Sequence, residues 1–402
     1  MPVPSGFHRR HSPPSAQSAR TRPIWSAGRT ALAAFSAAVL ATAAAGERVD
    51  IQTRDGRGIT GTVVREAQDG SLLLEHDSGR YELLAPATIA SRSTPAPPAP
   101  SETPAESGKR VLAELPAGFD LLVTKHYVVC FDTSREYAKW SAALFERLHD
   151  AFGNYWSRAG LAVADPQRPL VVVIFANRQD YEAHAAGDLG AAADRVVGYY
   201  NLLSNRVTTF DLTGSDVLAP QRSRRPGQVG LEILSNPAAT GLISTLVHEA
   251  THQLAFNDGM HQRLAPVPLW VSEGIATYFE TPDLTTTRAW RAVGSVNQPR
   301  LDHFLKTYRP GCLEGIIRAD DSFRNPDTAL DSYAAAWALC HHLLQMRKGE
   351  FVEYLQVLAA KQPLAADSPT ERLKEFRAAF GDPEAVEQGV MKTAARLASR
   401  PR

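Results

Sequence analysis

Between Arg48 and Arg92 the apolar positions come in short alternating runs (Val49, Ile51; Ile59, Val63; Leu72 to Leu74; Tyr81, Leu83). The runs are separated by Asp55-Gly56, Asp69-Gly70 and Ser78-Gly79. Period-two alternation broken by such pairs predicts hairpins. About five short strands in so few residues predict a small, strongly bent all-β barrel over residues 46–92. Ser93-Thr-Pro-Ala-Pro-Pro-Ala-Pro100, continuing to Ser107, is proline-rich. It predicts an extended, semi-rigid linker over 93–107 and a domain boundary there.

Beyond the linker the pattern changes. Residues 126–131 (HYVVCF) and 169–175 (PLVVVIF) are continuous β-branched and apolar runs of strand length, and between them Tyr137, Trp140, Leu144, Leu148 and Phe152 keep helical spacing over 133–157. Two shorter strands, 197–200 and 207–212, flank a turn at Ser204-Asn205. Residues 213–235 are polar and rich in Gly, Pro and Arg, and predict a loop. From Pro237 onward helical spacing holds over 237–257, 271–281, 331–347, 350–361, 370–379 and 383–398. Strands followed by helices predict an α+β domain over 108–402: a short mixed sheet, then a helical C-terminal part.

The N-terminus predicts a different fate. The first 30 residues hold Arg9, Arg10, Arg20, Arg22 and Arg29 with no acidic residue, and an alanine-rich apolar stretch from Ala31 to Ala45 follows. Basic, then apolar, then small is the order of a secretory signal peptide, with cleavage expected after Ala45. The stretch is shorter than the roughly 20 residues that span a bilayer, so no transmembrane anchor is expected after processing. A secreted, periplasmic or cell-envelope location follows. The whole chain balances 43 basic against 43 acidic residues, and losing the five arginines leaves it net negative, which argues against a nucleic-acid partner. Three cysteines without a C-x-x-C cannot build a thiolate zinc cluster. Any metal must be held by histidine and carboxylate. Cys312 and Cys340 are the one pair in which a disulfide is worth considering in an exported chain.

The chemistry concentrates in Leu246-Val-His-Glu-Ala-Thr-His-Gln-Leu254. Leu242, Leu246, Ala250 and Leu254 predict a buried helix, which Asn236 can cap and Asn257-Asp258-Gly259 can end. Four-residue spacing sets His248 and His252 on one face, where both imidazoles can bind one zinc ion, and Glu249 lies beside them. A catalytic zinc needs a third protein ligand. Glu273, 21 positions after His252 in Leu269-Trp-Val-Ser-Glu-Gly-Ile-Ala-Thr-Tyr-Phe-Glu280, is the candidate. A helix starting near Ser272 would carry Glu273 in its first turn, and Glu280 or Thr277 could hydrogen-bond a liganding imidazole from behind.

His248-Glu-Ala-Thr-His252 followed by Trp270-Val-Ser-Glu-Gly-Ile-Ala276 resembles the gluzincin metallopeptidases, and more narrowly a bacterial family of secreted, mostly uncharacterised peptidase-like domains. The resemblance spans roughly residues 110–350. It implies a zincin-like catalytic domain, zinc held by His248, His252 and Glu273, Glu249 as general base, and a peptide or protein substrate. Ser332-Tyr333 opening a later helix is loosely similar to the segment whose tyrosine serves the oxyanion in aminopeptidases of that clan, which implies the same role for Tyr333. No G-x-M-E-N segment precedes the zinc helix, so endopeptidase rather than exopeptidase action is expected. Two other readings stand beside it: a zinc-containing envelope scaffold that has lost catalysis, and a zinc hydrolase of a non-peptide amide. No feature of the β module identifies its partner.

Other candidates follow from residue type. His341 and His342 are possible ligands, and His261 and His303 possible oxyanion donors. Arg222, Arg224 and Arg225 are a solvated cluster or a carboxylate site. Cys130 is expected to pack in a strand and His76 to lie solvated beside a turn.

Overall fold

The computed structural model describes residues 46–93, 102–212, 237–281 and 293–400. The predicted signal peptide, most of the linker, the 213–235 loop with its arginines, and the Asn236 cap lie outside the described residues.

Residues 48–93 form one antiparallel sheet of five strands: β1 (Arg48–Thr53), β2 (Gly58–Glu66), β3 (Leu72–His76), β4 (Tyr81–Leu84) and β5 (Ile89–Ser93), in the order β4-β3-β2-β1-β5. The hairpin turns fall where predicted, with Gly56, Gly70 and Gly79 at positive φ. The expected closure into a barrel does not occur. A single 3₁₀ turn at Pro86–Thr88 carries the chain from β4 to β5 without pairing them, so both remain edges. Val49, Ile51, Ile59, Val63, Leu72, Leu74 and Leu84 make a small core of their own. His76 is not free in solvent: its Nε2 lies 2.8 Å from Glu82.

Helix α1 (Pro104–Glu114) starts inside the segment that reads as linker. Thr103 and Glu106 form a reciprocal capping box with Pro104 at the first position, a start signal that the proline content masks. The second sheet follows, with β6 (Asp120–Val123), β7 (Tyr127–Phe131), helix α2 (Arg135–Ala159), β8 (Leu170–Phe175), helix α3 (Arg178–Leu189), β9 (Gly198–Asn201) and β10 (Arg206–Phe210). Its order is β6-β7-β8-β10-β9, parallel through β7, β8 and β10 and antiparallel at both edges. All five residues of β7 and all six of β8 are buried, which accounts for their unbroken apolar runs.

The rest is helical: α4 (Pro237–Asn257), α5 (Leu269–Phe279), α6 (Gln298–Thr307), α7 (Cys312–Arg318), α8 (Asp321–Arg324), α9 (Ala329–Met346), α10 (Lys348–Ala359), α11 (Pro369–Phe380) and α12 (Pro383–Ala398). The α+β layout is therefore as expected. No helix among the described residues is long and apolar enough to cross a membrane.

Two residues of the Trp270–Ala276 segment owe their identity to packing on the C-terminal helices. Trp270 is fully buried, stacked on Tyr354 at 5.8 Å and met edge-on by Phe351, Phe376 and Phe380. Gly274 lets α5 close onto α9, since a Cβ there would stand 2.2 Å from Cys340 Sγ and 2.9 Å from the Ala336 carbonyl. Gly274→Ala is expected to lower the stability by about 1–3 kcal/mol through this overlap. Adding Cys340→Ala should recover only part of the loss, because the backbone carbonyl cannot retreat. Urea unfolding of the two variants checks both. All three cysteines are free, so Cys312 and Cys340 do not pair.

Candidate metal centre

Helix α4 carries His248 and His252 one turn apart, and α5 crosses it carrying Glu273. The three residues are at most 2% exposed. His248 Nε2 lies 3.1 Å from His252 Nε2 and 3.1 Å from Glu273 Oε2, and His252 Nε2 lies 3.5 Å from the same carboxylate oxygen. A tetrahedral zinc with bonds of roughly 2.0–2.1 Å sets its ligand atoms about 3.3 Å apart. The triangle fits that demand. The two rings meet at 79°, with centroids 4.8 Å apart. Glu273 Oε1 is buried without a partner, a cost that a cation would remove. These three residues form a group able to hold a metal ion.

The electrostatics fit a cation as well. Burial pulls the His248 imidazolium down, but Glu273 and Glu280 outweigh it and hold its pKa up at about 10. For Glu273, burial raises the carboxyl, and the two imidazoles outweigh it and hold it at about 2.

Of the two residues predicted to support a ligand from behind, Glu280 does so and Thr277 does not. His248 Nδ1 donates to Glu280 Oε2 at 3.0 Å, which leaves the Nε2 lone pair facing the metal position. Thr277 Oγ1 instead donates to the Glu273 carbonyl within its own helix. Glu280 is in turn held by Asn297 Nδ2 at 2.7 Å and Arg300 Nε at 3.0 Å, both from the start of α6. Sequence reading missed this pair. Asn297-Gln-Pro is a helix-start signal, and Asn297 Oδ1 does accept from the Arg300 amide, yet nothing local shows that its amide nitrogen reaches Glu280.

Helix α5 begins at Leu269 rather than near Ser272, which places Glu273 in the second turn. The reason is a cap from elsewhere: Asp320 accepts from the Leu269 amide at 3.1 Å while Arg372 donates to the same oxygen at 2.8 Å. Glu249 is buried, and its Oε2 accepts from the Tyr200 amide at 2.9 Å. Burial raises its pKa, with the two imidazoles opposing. Tyr333, on α9, is buried with its ring 6.5 Å from that of His248 and the Arg300 guanidinium 5.7 Å from its face. Burial and the charges of Glu273 and Glu249 raise its pKa well above the usual value, so its hydroxyl keeps its proton.

The remaining candidates are engaged elsewhere. His261 Nδ1 donates to the Met260 carbonyl, and burial holds its pKa down at about 3. Its Nε2 therefore carries no proton to offer an oxyanion. His303 pairs with Asp331 at 2.7 Å, and His342 with Thr393 at 2.8 Å. Cys130 is buried in β7, with its thiol pushed up to about 12 by burial. Strand β10 lies between β8 and β9. The edge is β9.

A second group, His126, His149 and Asp165, also brings three ligand atoms within 4.8 Å. Its two rings are stacked, centroids 3.7 Å apart and planes within 19°. His126 Nδ1 is already bonded to Glu146 at 2.6 Å.

His341 packs between Trp337 and Tyr278, and burial holds its pKa down at about 4. A histidine depressed below its unfolded value of about 6.5 contributes stability above that pH and loses it as pH falls toward the folded value. Acidification from pH 6.5 to 4 is therefore expected to cost about 2–3 kcal/mol at this residue. The stability of His341→Gln in chelator should fall less steeply over that window than that of the wild type.

Residues 242–365 match a family described as "Protein of unknown function (DUF1570)". The matching stretch runs from within α4 past α10, so it contains the three metal-site residues, Glu249 and Tyr333 but neither sheet. No curated protein matches the chain. Over that stretch the chain is similar to the DUF1570 family, and the site is what the similarity covers.

Proposed function

We propose that the protein is an exported zinc metallopeptidase of the gluzincin type, acting as an endopeptidase on peptide or protein substrates. The observation that supports it best is the triangle of His248 Nε2, His252 Nε2 and Glu273 Oε2, spaced for tetrahedral zinc, with Glu249 on the next residue of the same helix. Zinc bound there would polarise a carbonyl and lower the pKa of water toward 7. Glu280 holds the His248 tautomer. Glu249 takes the proton of the attacking water and passes it to the leaving amine, while its bond to the Tyr200 amide keeps one oxygen fixed. The Tyr333 hydroxyl, still protonated, donates to the oxyanion. An extended substrate has β9 as its pairing edge, because β10 is filled on both sides.

In this reading the β module of residues 46–92 and the domain over 108–402 are separate units of one chain, and the N-terminal 45 residues are a signal peptide. A peptide-library digest with zinc-loaded and chelated protein tests the activity. Cleavage that disappears with chelator and returns with zinc is the expected result. Turnover of non-peptide amides alone would move the protein to another hydrolase class. One zinc per chain without turnover would make it a scaffold.

A further inference from the structure

Glu249, Gln253 and Asn257 follow one another at four-residue spacing, so they form a polar stripe along α4. Every member of the stripe bonds the β9–β10 hairpin. The Tyr200 amide donates to Glu249 Oε2 at 2.9 Å, Gln253 Nε2 donates to the Asn205 carbonyl at 3.1 Å, and Asn257 and Asn205 exchange side-chain amide bonds at 2.8 Å. Tyr200 adds a ring stacked on Phe256 at 6.0 Å and a hydroxyl that donates to Asn205 at 2.7 Å. The hairpin thus holds Glu249 through the Tyr200 amide.

This hairpin is short and lies at the sheet edge, where strands open most readily. The N-terminal sheet holds its tip. The Tyr81 amide donates to the Leu203 carbonyl at 2.8 Å. Arg263, in the loop between α4 and α5, donates through Nη1 to the Leu202 carbonyl at 3.2 Å and through Nη2 to the Gly79 carbonyl at 2.8 Å. Its guanidinium lies 3.6 Å over the Tyr81 ring, and the residue is 7% exposed. A planar cation that joins two carbonyls and stacks on a ring is a role that lysine cannot fill. Arg168, just before β8, adds bonds to Glu75 and to the Asp77 carbonyl. One buried arginine therefore connects the N-terminal sheet, the hairpin tip and the loop that leads from His252 to Glu273.

We infer that the N-terminal sheet is a clamp on the β9–β10 hairpin, that Arg263 is its positioning residue, and that its role is to keep the Tyr200 amide on Glu249. Whatever lifts the sheet would loosen Glu249 and leave the metal ligands in place. The link to catalysis rests on the peptidase reading; the link to the hairpin does not.

The test uses the full chain loaded with zinc, comparing wild type with Arg263→Ala, Arg263→Lys and Tyr81→Ala. Amide hydrogen exchange over residues 198–206, zinc content and peptide kinetics are measured on each. In Arg263→Ala the Tyr200 amide is expected to exchange at least about tenfold faster, with zinc still at one per chain. Where the wild type cleaves peptides, kcat should fall about 10- to 100-fold with little change in KM, the cost of a misplaced base. Arg263→Lys should resemble the alanine variant more than the wild type, and Tyr81→Ala should be intermediate. If Arg263→Ala does not fold, the other two variants give the same reading. Unchanged exchange at Tyr200 would overturn the clamp. So would a loosened hairpin with undiminished kcat in an active enzyme, or zinc loss with a protected hairpin. A wild type without turnover would overturn the peptidase reading and leave the exchange result to decide the clamp alone.

Discussion

His248→Ala protein is expected to lose its zinc on dialysis, while wild type keeps one ion per chain. In the proposed site His248 would be one of three protein ligands, and structural zinc sites of four protein ligands hold their ion with about 10–16 kcal/mol at neutral pH. Removing one of three gives up a large share of that. It also frees Glu280, whose carboxylate, buried with Arg300 and Asn297, is shaped to orient that imidazole. Glu280→Gln should cost less, roughly 10- to 100-fold in zinc affinity, because the ligand stays and only its orientation weakens. The same ranking should hold for heat stability: an ion at 1,000 times its Kd adds about 4 kcal/mol, which chelator removes from wild type and cannot remove from His248→Ala. His252→Ala and Glu273→Ala should follow His248→Ala. Stoichiometric zinc retained by dialysed His248→Ala would place the metal elsewhere.

Glu249→Gln is expected to keep zinc and fold but lose peptide hydrolysis by about 10²–10⁴-fold, the usual worth of a general base. The amide is nearly isosteric, and its oxygen can still accept from the Tyr200 amide, so the hairpin contact survives. What it cannot do is take a proton from water. Tyr333→Phe should cost roughly 10²–10³-fold if its hydroxyl serves the oxyanion, and almost nothing if it only packs. The measurement is a comparison of initial rates on one cleaved peptide at equal zinc content. Equal rates for wild type and Glu249→Gln would assign the activity to another site or a contaminant.

The His248, His252 and Glu273 site was legible because its pieces are local. Four-residue spacing on an apolar helix puts two imidazoles on one face whatever surrounds them, and the Trp270-to-Ala276 pattern points to a second helix with its own carboxylate. Helix α4 was readable to the residue for the same reason. Its apolar stripe is continuous, and Pro237 and Asn257-Asp258-Gly259 bound it. The strands β7 and β8 and the helix between them were equally plain, since burial on every side demands unbroken apolar runs.

The parts that stayed hidden are those in which distant segments supply each other's hydrogen bonds. Asp320 starts α5 early, Asn297 and Arg300 hold Glu280, and the Tyr200 amide holds Glu249, each across 17 to 51 residues of chain. Closure of the first sheet failed because pairing of β4 with β5 is a property of curvature, which alternation does not encode. By itself the sequence determined that His248 and His252 share one helix face, since helical periodicity is set by the backbone, and it offered Glu273 as the third member of the group. Only the tertiary structure decided what orients those side chains and which strand is left open. A hydrogen bond needs its partner's position in space, and for buried groups that position comes from how the helices and sheets pack.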